Sequence, residues 1–336
     1  MNEKTGSSGR RPAVTKEQYV QGVLDGDRSL LARAITLVES HATGHRKLAA
    51  DVLTDLLPQR KPSLRVGVSG VPGAGKSTFI ENLGSRLTAA GHRVAVLAID
   101  PSSSVTGGSI LGDKTRMEKL AADANAFIRP SPSGGALGGV ARKTRESIVL
   151  FEAAGYDVIL VETMGVGQSE IQVRSMVDVF LLFALAGAGD ELQGIKKGVA
   201  EIADVVIVNK ADGQGITAAE LTRVEAERAL HYLQPATKGW VTQALACSAL
   251  TGEGVAQVWE VVEDFARVTR ASAVFEERRR NQETSWMREL VNEGLATEFS
   301  QHPGVAALRK ELEAQVAAGE IPAAAAAERL LELFLG

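Results

Sequence analysis

The sequence GVPGAGKST at residues 70–78 constrains the fold of this chain more than any other stretch. It follows an apolar run at 64–69 and precedes a helical pattern that starts at Phe79. The pattern G-x-x-x-x-G-K-[ST] between a strand and a helix is typical of a loop that binds nucleotide phosphates. Its glycines let backbone N–H groups turn toward the phosphates, and the helix start adds partial positive charge. The residues predicted to bind phosphate are Gly70, Val71, Pro72, Gly73, Ala74, Gly75, Lys76, Ser77 and Thr78.

Two side chains of this loop have distinct expected roles. Lys76 is expected to reach the β- and γ-phosphates, and Ser77 to offer its hydroxyl to Mg²⁺. Lys76 is therefore a candidate catalytic residue as well as a binding residue.

Short β-branched runs alternate with helical patterns from residue 64 onward. Because these runs are apolar on both faces, they predict parallel strands covered by helices. The predicted fold is α/β, with a doubly wound, mostly parallel sheet whose ligand site lies at the carboxyl ends of the strands. The predicted strands are 65–69, 93–99, 126–129, 158–161, 179–184, 205–208 and 244–247.

Helical patterns flank this central region on both sides. A capping box at 15–18 and an Asp27 cap predict helices near the N-terminus, and Pro58 ends a third helix. The predicted division is a flexible tail with a helical N-terminal extension at 1–60, a P-loop domain at 61–272 and a helical C-terminal arm at 273–336. From its pattern alone, the last helix either closes over the core or forms a dimerisation arm.

Composition excludes several classes of protein. Hydrophobic residues make up 45%, charged residues 23%, and the formal net charge is -4, which disfavours disorder and nucleic-acid binding. The single Cys247 cannot form an internal disulfide, and the longest apolar run, 179–186, is far shorter than the roughly 20 residues of a membrane span. We expect a cytoplasmic protein that binds neither nucleic acid nor membrane.

The tetrapeptide NKAD after the predicted strand 205–208 indicates which base is bound. The Asp212 carboxylate can accept hydrogen bonds from N1–H and the exocyclic amine of guanine, whereas adenine presents an acceptor at N1. We therefore predict GTP and GDP as ligands, in preference to ATP. The SAL segment after the next strand is expected to cover the guanine edge with a backbone N–H. The predicted guanine-site residues are Asn209, Lys210, Asp212, Ser248, Ala249 and Leu250.

Acidic residues at two strand ends are candidate Mg²⁺ ligands. Asp100 follows the second predicted strand and Glu162 the fourth, and either carboxylate can serve the metal directly or through water, together with Ser77. Glu162 also opens an E-x-x-G in the place where most GTPases carry D-x-x-G, and Gly165 is expected to donate an N–H to the γ-phosphate.

The sequence offers two candidates for the residue that positions the attacking water, Asp113 and Gln168. Segment 102–117 is interpreted as a first switch, in which Asp113 orders the water and Arg116 neutralises charge on the phosphoryl group. Gln168 is the rival for the water. The glycine-rich, charged segment 187–197 suits a mobile element. Since water positioning looks incomplete, we expect slow intrinsic hydrolysis that a partner protein completes.

The motifs GVPGAGKST, AIDPSSS with GGSILGDKTRM, VETMGVGQSE, NKAD and CSALTGEG, in this order, resemble the MeaB/ArgK-type GTPases of the G3E group. The resemblance spans about 64–254, and the helical ends also fit this family. It implies a GTPase chaperone of adenosylcobalamin-dependent methylmalonyl-CoA mutase that gates cofactor loading and protects the mutase from inactivation. It further implies a homodimer formed through the C-terminal arm.

The same resemblance assigns roles to individual residues. Lys76, Ser77, Asp100, Asp113 and Glu162 match positions for nucleotide, Mg²⁺ or switch roles, and Lys196 matches a third switch that senses the mutase. Two alternatives stay open. One is a metal-delivery GTPase of the same group, for which the sequence offers no C-x-x-C or His cluster. The other is an ATP-dependent kinase of the ArgK type, which would have no need of the NKxD motif.

Overall fold

The structure is a computed structural model that describes residues 14–40, 42–100, 117–132, 137–163, 169–185 and 197–336. The chain forms two compact units, residues 1–278 and residues 279–336. The domain boundaries expected from the sequence, 60/61 and 272/273, stay predictions.

The first unit contains every strand of the described residues. The strands are β1 (Leu64–Gly70), β2 (Val94–Asp100), β3 (Ala126–Pro132), β4 (Val158–Thr163), β5 (Val179–Leu185), β6 (Val205–Asn209) and β7 (Gln243–Ala246). The helices of the described residues are α1 (Lys16–Leu24), α2 (Arg28–Glu39), α3 (Thr43–Leu56), α4 (Lys76–Ala89), α5 (Glu118–Ala122), α6 (Leu137–Ala154), α7 (Ser169–Arg174), α8 (Lys197–Ala200), α9 (Ile216–His231), α10 (Val255–Ala271), α11 (Val274–Gln301), α12 (Pro303–Ala317) and α13 (Ala323–Leu335). Short 3-10 turns lie at Leu57–Gln59 and Gly213–Gly215.

The seven strands of the described residues form one parallel sheet in the order β3-β2-β4-β1-β5-β6-β7. This confirms the predicted α/β fold. Strand β1 is central, β4 lies between β1 and β2, and β5, β6 and β7 follow in order on the other side of β1. Each predicted strand corresponds to an observed one, and no strand end differs from its predicted position by more than three residues. The register aligns Glu162 of β4 with Val68 of β1 and with Ala98 of β2, which brings the acidic strand ends to one edge.

Helices cover both faces of the sheet, as the two-sided apolar runs require. Alternate residues of each strand point to opposite faces, so Ala95 and Leu97 of β2 join one core, while Val94 and Val96 join the other. The first core is completed by α1, α2, α3 and α6, and the second by α4 and α10. The N-terminal helices thus pack on the outside of α6 rather than directly extending the sheet.

Local caps define the first two helices as the sequence predicts. The Thr15 side chain accepts from the backbone N–H of Gln18, whose own side chain accepts from Thr15 N, so the capping box is present. Asp27 accepts from the N–H groups of Ser29 and Leu30 at 2.7 and 3.0 Å and caps α2. The third helix runs from Thr43 to Leu56, and Pro58 lies in the 3-10 turn that follows it.

Aspartates at the starts of three strands bond to the backbone of a neighbouring segment. Asp178, before β5, accepts from the N–H of Arg65 at 2.8 Å. Asp204, before β6, accepts from the N–H of Phe180 at 2.9 Å. Asp157, before β4, accepts from the N–H of Arg93 at 2.7 Å. These strand-start aspartates fix the amino edge of the sheet, opposite the edge that carries the sequence motifs.

A buried ionic cluster surrounds Asp204. Its carboxylate pairs with Arg174, the last residue of α7, at 3.1 Å, and with Arg278 of α11 at 3.7 Å. The hydroxyl of Thr237 also bonds to Asp204 and accepts hydrogen bonds from both guanidinium groups. Burial, and then the charge of Arg174, lowers the pKa of Arg278 to about 10. The buried Asp204 carboxylate thus pairs with two half-buried guanidinium groups.

The second unit is a small helical assembly. Helices α12 and α13 pack together around Val305, Leu312 and Ala326, which are buried. The Phe299 and Phe334 rings make an edge contact with centroids 5.4 Å apart. Among the described residues, no helix is long and apolar enough to cross a membrane.

Candidate nucleotide-binding site

The loop 70–75 connects β1 to α4 through a backbone that requires glycine. Gly73 and Gly75 have φ of +78° and +86°, a region that L side chains rarely adopt. A Cβ at Gly75 would also lie 2.3 Å from the amide nitrogen of Asn209, and one at Gly70 would lie 2.3 Å from the carbonyl oxygen of Phe183. The loop therefore has the tight turn and close backbone approach on which phosphate binding depends.

Lys76 is the first residue of α4, and its ammonium group lies against the backbone of the phosphate loop. Its Nζ donates to the backbone carbonyl oxygens of Gly70 at 2.7 Å and Val71 at 3.1 Å. Burial lowers the pKa of Lys76, and the nearby carboxylates of Glu162 and Glu170 oppose this effect. The residue is only 6% exposed, so the phosphate loop carries a largely desolvated positive charge at the helix start.

Ser77 and Glu162 lie together beside the phosphate loop. The Ser77 hydroxyl donates to Oε1 of Glu162 at 2.7 Å, and Glu162 is buried. Asp100 ends β2 next to the position where Ile99 pairs with Thr163 of β4. The structure thus brings Ser77 and Glu162 into contact and sets the backbone of Asp100 at the same edge of the sheet. Among the residues described, no group of three or more His, Cys, Asp or Glu could hold a metal ion.

Asn209 links the NKAD segment to the phosphate loop. Its amide nitrogen donates to the carbonyl oxygen of Ala74 at 2.7 Å, and its Oδ1 accepts from the N–H of Ala249 at 2.9 Å. The N–H of Ala249, one of the backbone donors of the SAL segment, thus bonds to Asn209, and the expectation that this segment covers the guanine edge with a backbone N–H stays a prediction. Lys210 has φ of +65°, which turns the chain between Asn209 and Asp212.

The guanine loop, residues 247–254, follows β7 and lies against NKAD. The Ser248 hydroxyl donates to Oδ2 of Asp212, and the N–H of Ala211 donates to the carbonyl oxygen of Cys247 at 3.0 Å. Leu250 is 78% exposed at the tip of the loop. The loop thus brings Ser248 and Ala249 to the predicted base-reading carboxylate, while Leu250 faces solvent.

Several predicted site residues lie outside the described residues. These are Asp113, Arg116, Gly165, Gln168 and Lys196. Their roles stay predictions.

Two residues of α4 were not predicted as part of the site: Arg86, which donates to the guanine loop, and Asn82, which accepts from Arg86. Glu170, a fully buried carboxylate that acts electrostatically on Lys76, was not predicted either. Glu170 lies in the VGQSE motif, so its position in the sequence could have indicated a functional role. Asn82 and Arg86 gave no signal, because polar residues four apart on a helix look like an ordinary solvated face.

Cys247 provides a direct probe of order in the guanine loop. It is 2% exposed, and burial raises the pKa of its thiol from 9.0 to about 12. At pH 8 the reactive thiolate fraction is then about 1 in 10⁴ in the folded state and about 1 in 10 in the unfolded state. Because the folded-state pKa is the higher one, the contribution of this thiol to stability is complete below pH 9 and is lost as the pH rises toward 12.

We expect Cys247 to react with a thiol reagent at pH 8 about 10³ times more slowly in the native protein than in urea. The measurement is unambiguous because the chain has a single cysteine. Equal labelling rates in the two states would contradict the buried placement of the loop.

The parallel sheet, the phosphate loop and the adjacent NKAD segment define a P-loop nucleotide-binding protein with the guanine-reading motif of GTPases. The comparisons agree with this class. A family model described as methylmalonyl-CoA mutase-associated GTPase MeaB matches residues 31–304. The chain therefore belongs to the MeaB family of GTPases.

Individual relatives cover nearly the whole chain. A protein of Caulobacter vibrioides is 52% identical over 323 residues, which is 96% of this chain and 99% of that protein. "GTPase ArgK" of Escherichia coli is 47% identical over 280 residues, 83% of this chain and 85% of its own. A solved structure titled "Crystal structure of LAO/AO transport system kinase" superposes with a TM-score of 0.78 at 35% identity, covering 97% of this chain and 100% of the other. The similarity thus includes both helical ends.

Proposed function

We propose that this GTPase is a chaperone of an adenosylcobalamin-dependent mutase, with methylmalonyl-CoA mutase as the partner. In this role it gates loading of the mutase cofactor, protects the mutase from inactivation, and couples both to hydrolysis of GTP. The observation that carries the proposal is the match of 31–304 to a family described by its association with that mutase. The described site supports the GTP part, since its phosphate loop and guanine loop are joined through Asn209.

The residues divide the work of binding and hydrolysis. Lys76 supplies a desolvated cation to the β- and γ-phosphates, where charge develops as the phosphoryl group transfers. Asp212 binds the guanine base, and Asn209 connects the guanine loop to the phosphate loop by hydrogen bonds to Ala249 and Ala74. Glu162 orients the Ser77 hydroxyl and adds negative charge beside Lys76. In this proposal Asp113 or Gln168 orders the attacking water, and Arg116 neutralises charge that develops on the phosphoryl group.

Mg²⁺ fits the donor set at this edge of the sheet. Ser77 and Glu162 present hard oxygen atoms in contact with each other, and Asp100 ends the neighbouring strand. These three residues are the proposed metal ligands, directly or through water. When bound, the metal neutralises charge on the β- and γ-phosphate oxygens.

We also propose that the protein is a homodimer that pairs through its C-terminal helices. Met287, Val291 and Leu295 recur every fourth residue on α11 and are 53–57% exposed. Residues at this spacing lie on one face of a helix, so they form an apolar stripe that a second copy can cover.

Two alternative functions, an ATP-dependent kinase and a metal-delivery GTPase, can be distinguished from the chaperone by what they bind. The related solved structure is titled as a kinase, which would transfer phosphate from ATP to an acceptor. A metal-delivery GTPase would bind a transition metal in addition to nucleotide. Asp212 argues against ATP as the substrate, because adenine would set a lone pair against its carboxylate.

The test is the GTP hydrolysis rate of the purified protein, alone and with methylmalonyl-CoA mutase, both apo and cofactor-loaded. We expect the mutase to raise the rate about tenfold or more by completing the site, and the apo and loaded forms to differ. ATP serves as the matched control nucleotide and should be hydrolysed far more slowly. An unchanged rate with both mutase forms, together with no complex by size-exclusion chromatography, would refute the chaperone role.

A further inference from the structure

Helix α4 contacts the guanine loop at Gly252. Arg86 donates from Nη2 to the backbone carbonyl oxygen of Gly252 at 3.2 Å. Its Nε donates to Oδ1 of Asn82, one turn earlier on the same helix, at 2.7 Å. The Asn82 amide thereby fixes the direction in which the guanidinium reaches across to the loop.

Gly252 shows how closely the loop and the helix approach. It is buried and has φ of +82°. A Cβ here would lie 2.7 Å from Nη2 of Arg86 and 2.9 Å from the amide nitrogen of Asn82. Position 252 therefore has no space for a side chain while Asn82 and Arg86 keep these positions, and its backbone favours glycine in any case.

Hydrogen bonds inside the loop connect Gly252 to the base-reading carboxylate. The N–H of Gly252 donates to the carbonyl oxygen of Ser248 at 2.8 Å, and the N–H of Ser248 donates to the carbonyl oxygen of Glu253 at 2.9 Å. The hydroxyl of Ser248 then donates to Asp212. Movement of Gly252 away from α4 is consequently transmitted through one residue, Ser248, to Asp212.

We propose that Asn82 and Arg86 are positioning residues for guanine recognition. Helix α4 begins with Lys76 and Ser77, so the helix that presents the phosphate-binding side chains also holds the loop that orients the base reader. This clamp adds a second connection between the phosphate and base sides, next to the Asn209 bond to Ala74. The inference rests on the proposed guanine role of Asp212. Its consequence is slower GDP release and a stronger preference for GDP over ADP.

The experiment measures release of a fluorescent GDP analogue and the affinities for GDP and ADP with the full-length chain. Loss of a hydrogen bond from a charged group is expected to speed GDP release about fivefold in Arg86→Ala, with ADP affinity unchanged. Asn82→Ala should shift release in the same direction by less. The double variant should release GDP no faster than Arg86→Ala, because Asn82 acts through Arg86.

Arg223→Ala is the matched control. Arg223 pairs with Glu220 and Glu227 of its own helix, α9, so its removal should leave GDP release unchanged. Wild-type release and a wild-type GDP to ADP ratio in Arg86→Ala would overturn the clamp, and so would an equal loss of affinity for both nucleotides. If the wild-type protein binds GDP and ADP equally well, the proposed base recognition itself fails, which is a separate outcome.

Discussion

Asp212→Asn is expected to lower affinity for GDP by about 10³ or more and to create affinity for xanthosine diphosphate. A carboxylate accepts both donors of guanine, N1–H and the exocyclic amine, whereas an amide offers one acceptor and one donor. Xanthine carries a carbonyl oxygen where guanine carries the amine, so the amide of the variant pairs with it. Ser248 can adjust, because its hydroxyl both donates and accepts.

Equilibrium binding of guanosine, xanthosine and adenosine diphosphates to the wild type and the variant checks this prediction. Asp25→Asn makes the same chemical change at an exposed residue bonded to Gln21, and it should alter none of the three affinities. A variant that still prefers GDP over xanthosine diphosphate would show that Asp212 does not read the base.

Asp204→Ala is expected to destabilise the first unit by about 3–5 kcal/mol. The substitution leaves the guanidinium groups of Arg174 and Arg278 close together, with side chains that are 14% and 16% exposed, and removes the carboxylate that pairs with both. It also frees the N–H of Phe180, so a backbone donor of β5 loses its acceptor. Truncating one partner of a buried pair therefore costs more than the pair itself contributes.

Asp264→Ala is the control for this prediction, because Asp264 pairs with Arg267 on the surface of α10, with side chains that are 59% and 70% exposed. It should cost no more than about 1 kcal/mol. Urea unfolding followed by tryptophan fluorescence measures the free energy of unfolding of both variants. Trp240 is a suitable probe, since it donates its indole N–H to the backbone carbonyl oxygen of Asp204. Equal stability of the two variants would contradict the assignment of a charge cluster at Asp204.

The sequence predicts the sheet and the phosphate loop well for identifiable reasons. Each strand is a short apolar run, so local composition alone indicates its position. The phosphate loop requires glycines with positive φ at fixed spacing, such as Gly73 and Gly75, and these are visible in the sequence. The contact between Ser77 and Glu162 also follows from a rule, because parallel strands bring their carboxyl ends to one edge.

The tertiary contacts of charged residues are not predictable in this way. Arg278 reaches Asp178 across 100 residues of chain, and Arg86 reaches Gly252 across 166. In the sequence, each arginine has the same appearance as one on a solvated helix face. Only the packing of α11 and α4 decides which backbone carbonyl oxygen each guanidinium group reaches. The boundary between the two compact units is also hard to predict from sequence. Helix α11 starts at residue 274 and continues without a break past residue 279, where the second unit begins.

The strand-start aspartates have a consequence for folding. A slip of one residue between β1 and β5, or between β5 and β6, would remove the backbone donors from Asp178 and Asp204, which are 1% and 0% exposed. A buried carboxylate that loses a backbone hydrogen-bond donor is less stable, so misaligned sheets are penalised at the amino edge, opposite the edge that carries the phosphate loop. Strand alignment is thus specified without help from nucleotide, and the empty protein should refold to the correct register before any GTP binds.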